Sequence, residues 1–178
     1  KVAKLLDGNV LDVCSAPGGK AIVAALAGAQ VTACDISHAR IKLMKANIER
    51  LGLRNILLVE CDATHLPLRA KFDTVLVDAP CSNTGVLSRR FDARWRISEN
   101  KIRYHSRLQL RILKSVSRAL RNGGRLVYSV CSIEPEETYK VVKKLLNSCK
   151  EFILVKEELT LPSRESGGGY VAILKYGT

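Results

Sequence analysis

Little in this sequence points to a membrane, a secretory route or a metal. No apolar run approaches the roughly 20 residues that span a bilayer, and no charged-then-apolar leader with a cleavage site opens the chain. No C-x-x-C pair is present to hold zinc, and no metal is expected. The six cysteines (Cys14, Cys34, Cys61, Cys81, Cys131, Cys149) lie in or beside apolar, strand-like runs. We read them as reduced thiols in a cytoplasmic setting, not as a disulfide framework. The dinucleotide fingerprint G-x-G-x-x-G is missing from the first glycine turn, and so is the Gly-x4-Gly-Lys spacing of a phosphate loop. The chain starts at Lys1 and its one methionine is Met44, from which we expect part of a longer protein or a processed product.

Acidic residues are scarce in one region. Between Val86 and Arg125 only Asp92 and Glu99 oppose twelve basic residues: Arg89, Arg90, Arg94, Arg96, Lys101, Arg103, Arg107, Arg111, Lys114, Arg118, Arg121 and Arg125. That stretch carries most of the net charge of +12. Arginine dominates it, and a guanidinium matches phosphate with two hydrogen bonds and stacks on bases. Phe91, Trp95 and Tyr104 are interleaved. A solvated helix face is the plain alternative; a polyanion such as RNA is the partner this pattern favours.

With 178 residues, 47% hydrophobic, and mean hydropathy +0.02, the chain suits one globular domain, residues 1–178. Short apolar runs rich in β-branched residues alternate with helical stretches. Strands are expected at Val10–Val13, Val31–Asp35, Ile56–Glu60, Phe72–Asp78, Arg125–Val130, Phe152–Lys156 and Tyr170–Lys175. Helices are expected near Lys20–Ala27, Ser37–Leu51, Ile102–Leu120 and Glu134–Asn147. Ile41, Met44, Ile48 and Leu51 share one face of the second helix, with Gly52 as a stop. The alternation predicts an α/β fold, a Rossmann-like doubly wound, mostly parallel, seven-stranded sheet. No helix separates the last two strands, so they should form a hairpin and make the last strand antiparallel.

Several stretches carry chemistry. In VLDVCSAPGGK (residues 10–20) a strand ends, a proline and two glycines turn the chain, and a helix begins. Its amides and helix N-terminus suit a negative group. Asp35 follows at the end of the second strand, placed to accept from ribose hydroxyls, although Asp35 or Ser37 could equally start the next helix. Asp62 and Asp78 end the third and fourth strands in the same way. VLVDAPCSNTG (75–85) and GRLVYSVCSIEP (124–135) both run a strand into a Cys-Ser pair. If those strands are neighbours, Cys81 and Cys131 open into one crevice beside Asp78, an arrangement that suits nucleophilic catalysis better than packing. Basic surroundings and a helix N-terminus after Cys131 would favour a thiolate.

The set CSAPGGK, DIS, CDAT, DAPCSNTGV and YSVCS resembles the RNA cytosine-5 methyltransferases that use S-adenosylmethionine, and among them the bacterial 16S ribosomal RNA enzymes. The resemblance covers nearly the whole chain. It implies a class I methyltransferase fold, with Cys14, Ser15, Ala16, Pro17, Gly18, Gly19 and Lys20 forming the turn under the methionine part of the cofactor. Asp35 would hold the ribose, with Ile36 and Arg40 beside it, and Asp62 with Ala63 would lie near the adenine. Asp78 would face the target cytosine and the transferring methyl, Cys131 would be the nucleophile, and Cys81 would aid release. Arg89, Arg90, Arg94, Arg96, Arg103, Arg107 and Arg111 would contact RNA. Ser15 stands where alanine is commoner in the family, and Val130 where threonine is.

The residue types suit the chemistry thus implied. Carbon 5 of cytosine is a poor nucleophile until a thiolate adds to carbon 6, and the charge pushed onto the ring needs an acid or hydrogen-bonding group, a role for Asp78. A second thiol can then act as base or activate a water. Three alternatives stand beside this. A nicotinamide-dependent oxidoreductase would share the sheet but lacks its glycine fingerprint and leaves both Cys-Ser pairs without a role. A DNA cytosine-5 methyltransferase would attack with Cys81 and leave Cys131 idle. A non-catalytic RNA-binding or assembly factor would have no use for both thiols.

Overall fold

The structure, a computed structural model, describes residues 2–88, 94–95 and 97–177. The strand FDTVLVD shows why the sheet forms. Its Val75, Leu76 and Val77 are fully buried, as parallel strands are when helices cover both faces. Successive side chains point to opposite faces. Leu11, Val75, Val77, Leu126 and Tyr128 pack on one side with Ile112, Leu113, Val116, Val141 and Leu145. Val10, Leu76 and Val127 pack on the other with Ala21, Ala24, Met44 and Ile48. Three layers result, helices over sheet over helices.

The elements run β1 (Asn9–Val13), α1 (Gly19–Leu26), β2 (Gln30–Asp35), α2 (His38–Arg50), β3 (Ile56–Glu60), β4 (Phe72–Asp78), α3 (Glu99–Ser117), β5 (Leu120–Val130), α4 (Tyr139–Ser148), β6 (Phe152–Thr160) and β7 (Gly169–Tyr176), with single 3-10 turns at Val2–Leu5, Ala63–His65 and Thr84–Val86. The seven strands are ordered β3-β2-β1-β4-β5-β7-β6. The first five pair in parallel, and β7 runs antiparallel to both β5 and β6. The chain leaves β1 towards β2 and later returns to its other side as β4. That switch point, at the carboxyl ends of β1 and β4, is where open α/β sheets bind ligands.

Several boundaries differ from those the sequence suggests. The third helix stops at Ser117, whose hydroxyl donates back to Lys114 O at 2.8 Å. Leu120 belongs instead to β5, where it pairs with Phe72 across an irregular register. The fourth helix starts at Tyr139, not Glu134. Residues 134–138 form a turn, in which the Glu137 N–H donates to Glu134 O at 3.0 Å and the Tyr128 hydroxyl donates to Glu137 O at 2.6 Å. β6 continues past Lys156 to Thr160 through Glu157 and Glu158, charged residues tolerated on an edge strand. The third strand ends at Glu60, and Asp62 instead caps the turn at Ala63–His65, accepting from Thr64 N at 2.8 Å.

Candidate active site

The turn after β1 is held from both sides. Ser15 N donates to Cys34 O at 2.9 Å and Ala16 N to Asp35 Oδ2 at 3.2 Å, so the end of β2 shapes the loop that follows β1. Gly18 has φ 99, and a Cβ there would meet Met44 Cγ at 2.9 Å, so only glycine fits. Asp35, 2% exposed, also accepts from Ser37 N at 2.9 Å and pairs with Arg40 at 3.1 Å. The helix cap is Ser37, which accepts from Arg40 N at 3.4 Å. Asp35 is thus an organiser of the cofactor-type loop, with Ser37 starting α2.

Beside this turn lies a cleft of about 380 Å³, within the range of ligand sites. Of the cofactor residues suggested by sequence, Cys14, Asp35, Ile36, Arg40, Asp62 and Ala63 line it. Ser15, Ala16, Pro17, Gly18, Gly19 and Lys20 form the adjoining turn and the start of α1. The Pro80 and Leu108 side chains close the cleft from the far side. The Thr64 N–H holds the Asp62 carboxyl below its usual range, so it stays an anion at the cleft rim.

One acid of this site escaped the sequence reading. Asp12 interrupts the apolar β1 and is 1% exposed; Ser15 Oγ donates to its Oδ2 at 2.8 Å, while its Oδ1 has no hydrogen-bond partner among the described residues. Burial pushes its carboxyl up to about 7, with Asp78 and Asp35 adding to the rise against Ser15 and Lys20. An acid within a buried strand was the signal available.

Asp78 ends β4 and forms an ion pair with Lys20 at 2.5 Å, across the switch point. Burial pushes the Lys20 ammonium down, but the charge and hydrogen bond of Asp78 more than offset this and raise it. Lys20 therefore remains an ammonium, and the charge of Cys131 adds to the rise. β4 and β5 are hydrogen-bonded neighbours, with Asp78 opposite Ser129, so the loops carrying Cys81 and Cys131 leave adjacent strands at one edge. Gly85 N donates to Cys131 O at 3.1 Å and ties these loops together. Cys131 is exposed and Cys81 is half-buried. Burial pushes the Cys81 thiol up to about 12, and the charges of Glu137 and Cys131 add to this. At neutral pH Cys81 is a thiol. The helix N-terminus expected to assist Cys131 is not there, since α4 starts only at Tyr139; the nearby cation is Lys20.

On α3, Arg103, Arg107, Arg111, Lys114 and Arg118 are all exposed, at intervals of three and four residues that place them along one side. Arg103 pairs with Glu99 at 3.1 Å. Arg111 lines both the cleft beside Asp35 and a neighbouring one of about 420 Å³, which also takes in His65, Lys114 and Arg118. Arg94 is exposed next to Trp95, which is 91% exposed. Arg89, Arg90 and Arg96 lie outside the described residues. The basic segment is not a single surface. Arg121 pairs with Asp73 at 2.7 Å and Arg125 with Asp7 at 3.1 Å, near the amino end of β4 and away from the crevice.

A family model described as 16S rRNA methyltransferase RsmB/F matches residues 4–171. The chain belongs to the RsmB/F family of 16S rRNA methyltransferases. Among RsmB/F relatives, it is 35% identical over 168 residues to the ribosomal RNA small subunit methyltransferase B of Proteus mirabilis (strain HI4320), covering 91% of this chain and 39% of the relative. It is 36% identical over 181 residues to the enzyme of the same name from Yersinia pseudotuberculosis serotype O:1b (strain IP 31758), covering 94% and 42%. The chain thus spans about two-fifths of these curated relatives. The crystal structure of NSun6 from Pyrococcus horikoshii with SFG superposes at TM-score 0.89 and 30% identity, over 99% of this chain and 50% of that one. The RsmB/F chain has the seven-stranded, mostly parallel sheet of class I methyltransferases.

Proposed function

We propose that this chain transfers a methyl group from S-adenosylmethionine to carbon 5 of a cytosine in ribosomal RNA, in the cytoplasm, where thiols stay reduced. The observation that carries this reading is the convergence of both Cys-Ser loops on the Asp78–Lys20 pair at the switch point. Family membership supports the RNA substrate. The methyl donor is supported by SFG in the NSun6 structure, since SFG is sinefungin, an analogue of S-adenosylmethionine. The residues fit that donor. Ile36, Ala63 and Leu108 offer apolar walls for a base, Asp62 offers an acceptor to the amino group of that base, Asp35 offers acceptors for ribose hydroxyls, and Oδ1 of Asp12, unpartnered among the described residues, offers a negative atom to a cationic group. When bound, S-adenosylmethionine supplies a methyl on a sulfonium.

Cys131, exposed and within the field of Lys20, attacks as a thiolate. Its Sγ forms a bond to carbon 6, and the C5–C6 electron pair moves towards the ring nitrogen, which takes a proton from the Lys20–Asp78 pair. Carbon 5, now electron-rich, would take the methyl that the bound donor supplies, leaving the bonding pair on the donor, and the ring nitrogen would return its proton. Water then removes the proton on carbon 5, the C5–C6 double bond re-forms, and Cys131 leaves as a thiolate. Cys81, held as a thiol by burial, donates a hydrogen bond to that leaving sulfur. The base must be unstacked first, which loops and single strands allow most cheaply.

The test separates the thiols. With S-adenosylmethionine and a 16S ribosomal RNA transcript, Cys131→Ala should bind the donor and yield neither product nor adduct. Cys81→Ala should accumulate a protein–RNA adduct, seen as a shifted band on a denaturing gel and absent from the double variant. A trapped band in Cys131→Ala instead would reverse the assignment, and methylation unaffected by either change would refute it.

A further inference from the structure

The two cysteine loops meet on one buried acid that the methyl-transfer chemistry does not use. Glu137 has no exposed surface. Its carboxylate accepts from the Ser82 backbone N–H, at 3.0 Å to Oε1 and 3.3 Å to Oε2, and from the Ser82 hydroxyl. It also accepts from Ser132 Oγ at 2.6 Å and from Gln109 Nε2 at 3.3 Å. Gln109 uses the same Nε2 to reach Pro80 O at 2.9 Å, just before Cys81. Ser82 follows Cys81 and Ser132 follows Cys131, so each serine arm lies one peptide from a thiol. The serine hydroxyls also lie 3.2 Å apart.

Such a centre is costly if it only fills space. A buried charge is tolerated when it is fully hydrogen-bonded, and apolar side chains of similar volume often serve packing as well or better. Among the described residues no cation pairs with Glu137, and its carboxylate is met by hydrogen bonds from Ser82, Ser132 and Gln109. Those bonds converge on the two loops that carry the thiols, from three separate parts of the chain: the β4 exit, the β5 exit and α3.

We propose that Glu137 is a positioning residue that locks the Cys81 and Cys131 loops to each other, setting the place of the attacking and releasing thiols at the target base. The proposal rests on the two-cysteine mechanism of the proposed function. Glu137 acts through the serine next to each thiol. Its charge also contributes to keeping Cys81 protonated.

The experiment reads adduct formation in a Cys81→Ala background, where the covalent species should accumulate on a 16S ribosomal RNA transcript. Adding Glu137→Gln should slow its formation by roughly 100-fold, the scale on which an ångström of misplacement acts. S-adenosylmethionine affinity, measured by calorimetry, should stay within about twofold, because neither Glu137 nor its side-chain partners Ser82, Ser132 and Gln109 line the cleft beside Asp35. Ser132→Ala removes the arm to the Cys131 loop and keeps the acid, so it reads the same linkage in a chain whose buried charge is intact; it should slow the adduct by roughly tenfold, about one lost hydrogen bond. Unchanged adduct rates in both variants would overturn the role of Glu137. So would a slowdown matched by an equal loss of donor affinity, which would mark general damage to the fold. No adduct in Cys81→Ala alone would instead overturn the two-cysteine mechanism, and Glu137 positioning with it.

Discussion

Asp12→Asn should stabilise the ligand-free protein above pH 7 while weakening its hold on the methyl donor. Burial raises the Asp12 carboxyl from an ordinary 3.8 to about 7, a gap of about three pH units, which corresponds to about 4 kcal/mol at about 1.4 kcal/mol per unit. The sign follows from proton uptake. Below pH 3.8 the group is protonated in both folded and unfolded chains and contributes nothing. Between pH 3.8 and 7 the unfolded chain ionises and the folded one does not, so stability falls as pH rises. Above pH 7 both are ionised and the full penalty remains. Asparagine keeps an acceptor for Ser15 Oγ and never ionises. Urea unfolding of both proteins from pH 4 to 8 should therefore show a difference near zero at pH 4 that grows to roughly 4 kcal/mol in favour of the variant by pH 8. Titrations of groups away from Asp12 cancel in that difference. Saturating S-adenosylmethionine should narrow it, because a cationic ligand beside Asp12 stabilises only the charged form, and binding shifts stability by RT ln(1 + [L]/Kd). A difference that stays flat with pH would refute the buried-acid account.

Two further outcomes concern the same site. Asp35→Ala should lower S-adenosylmethionine affinity by about 1–3 kcal/mol in calorimetry. It should also reduce stability by a comparable amount, because Asp35 holds both the Ala16 and Ser37 amides; unchanged affinity would remove it from the donor site. Replacing Arg103, Arg107 and Arg111 by glutamine should flatten the log–log salt dependence of RNA binding by about 2, at roughly 0.7 per phosphate on a single strand. An unchanged slope would return that stripe to the status of a solvated helix face.

The parts of the fold legible in the sequence are those under one strong constraint. β4 is built around the apolar run Val75–Val77 and α2 has a clean apolar period, so pattern alone places both within a residue or two of their observed bounds. Where two constraints compete, pattern reading slips. The run Glu134–Glu137 has the composition of a helix start, yet Glu137 turns inward to the two serines and the helix waits until Tyr139. β6 extends through polar residues because an edge strand needs no apolar face there. Asp12 escapes such reading because a single acid amid apolar neighbours reads locally as a solvated residue, and Glu137 because it stands in a run of acids that reads as a helix start. Glu137 does carry a signal: it stands four residues before Val141 and eight before Leu145, both fully buried, so helical spacing puts it on the inner side.

The repeated Cys-Ser pair explains how one residue type can serve two roles. β4 and β5 are parallel and in register, with Asp78 opposite Ser129, so each strand delivers its cysteine to the same edge a few residues later. Parallel pairing alone would give the two thiols similar surroundings. The difference arises in the loops beyond the strands. Asn83, at φ 61, bends the first loop back, its Nδ2 donating to Cys81 O at 3.1 Å, and Cys81 stays half-buried. The second loop runs on through Ser132 to the turn at Glu134 and leaves Cys131 exposed, with Lys20 nearby. A thiolate is the better nucleophile and a thiol the better hydrogen-bond donor. In the proposed mechanism, burial against exposure, not sequence identity, would therefore assign attack to Cys131 and release to Cys81. Exchanging the two loops' environments should exchange their chemistry, whereas exchanging the cysteines themselves would change nothing.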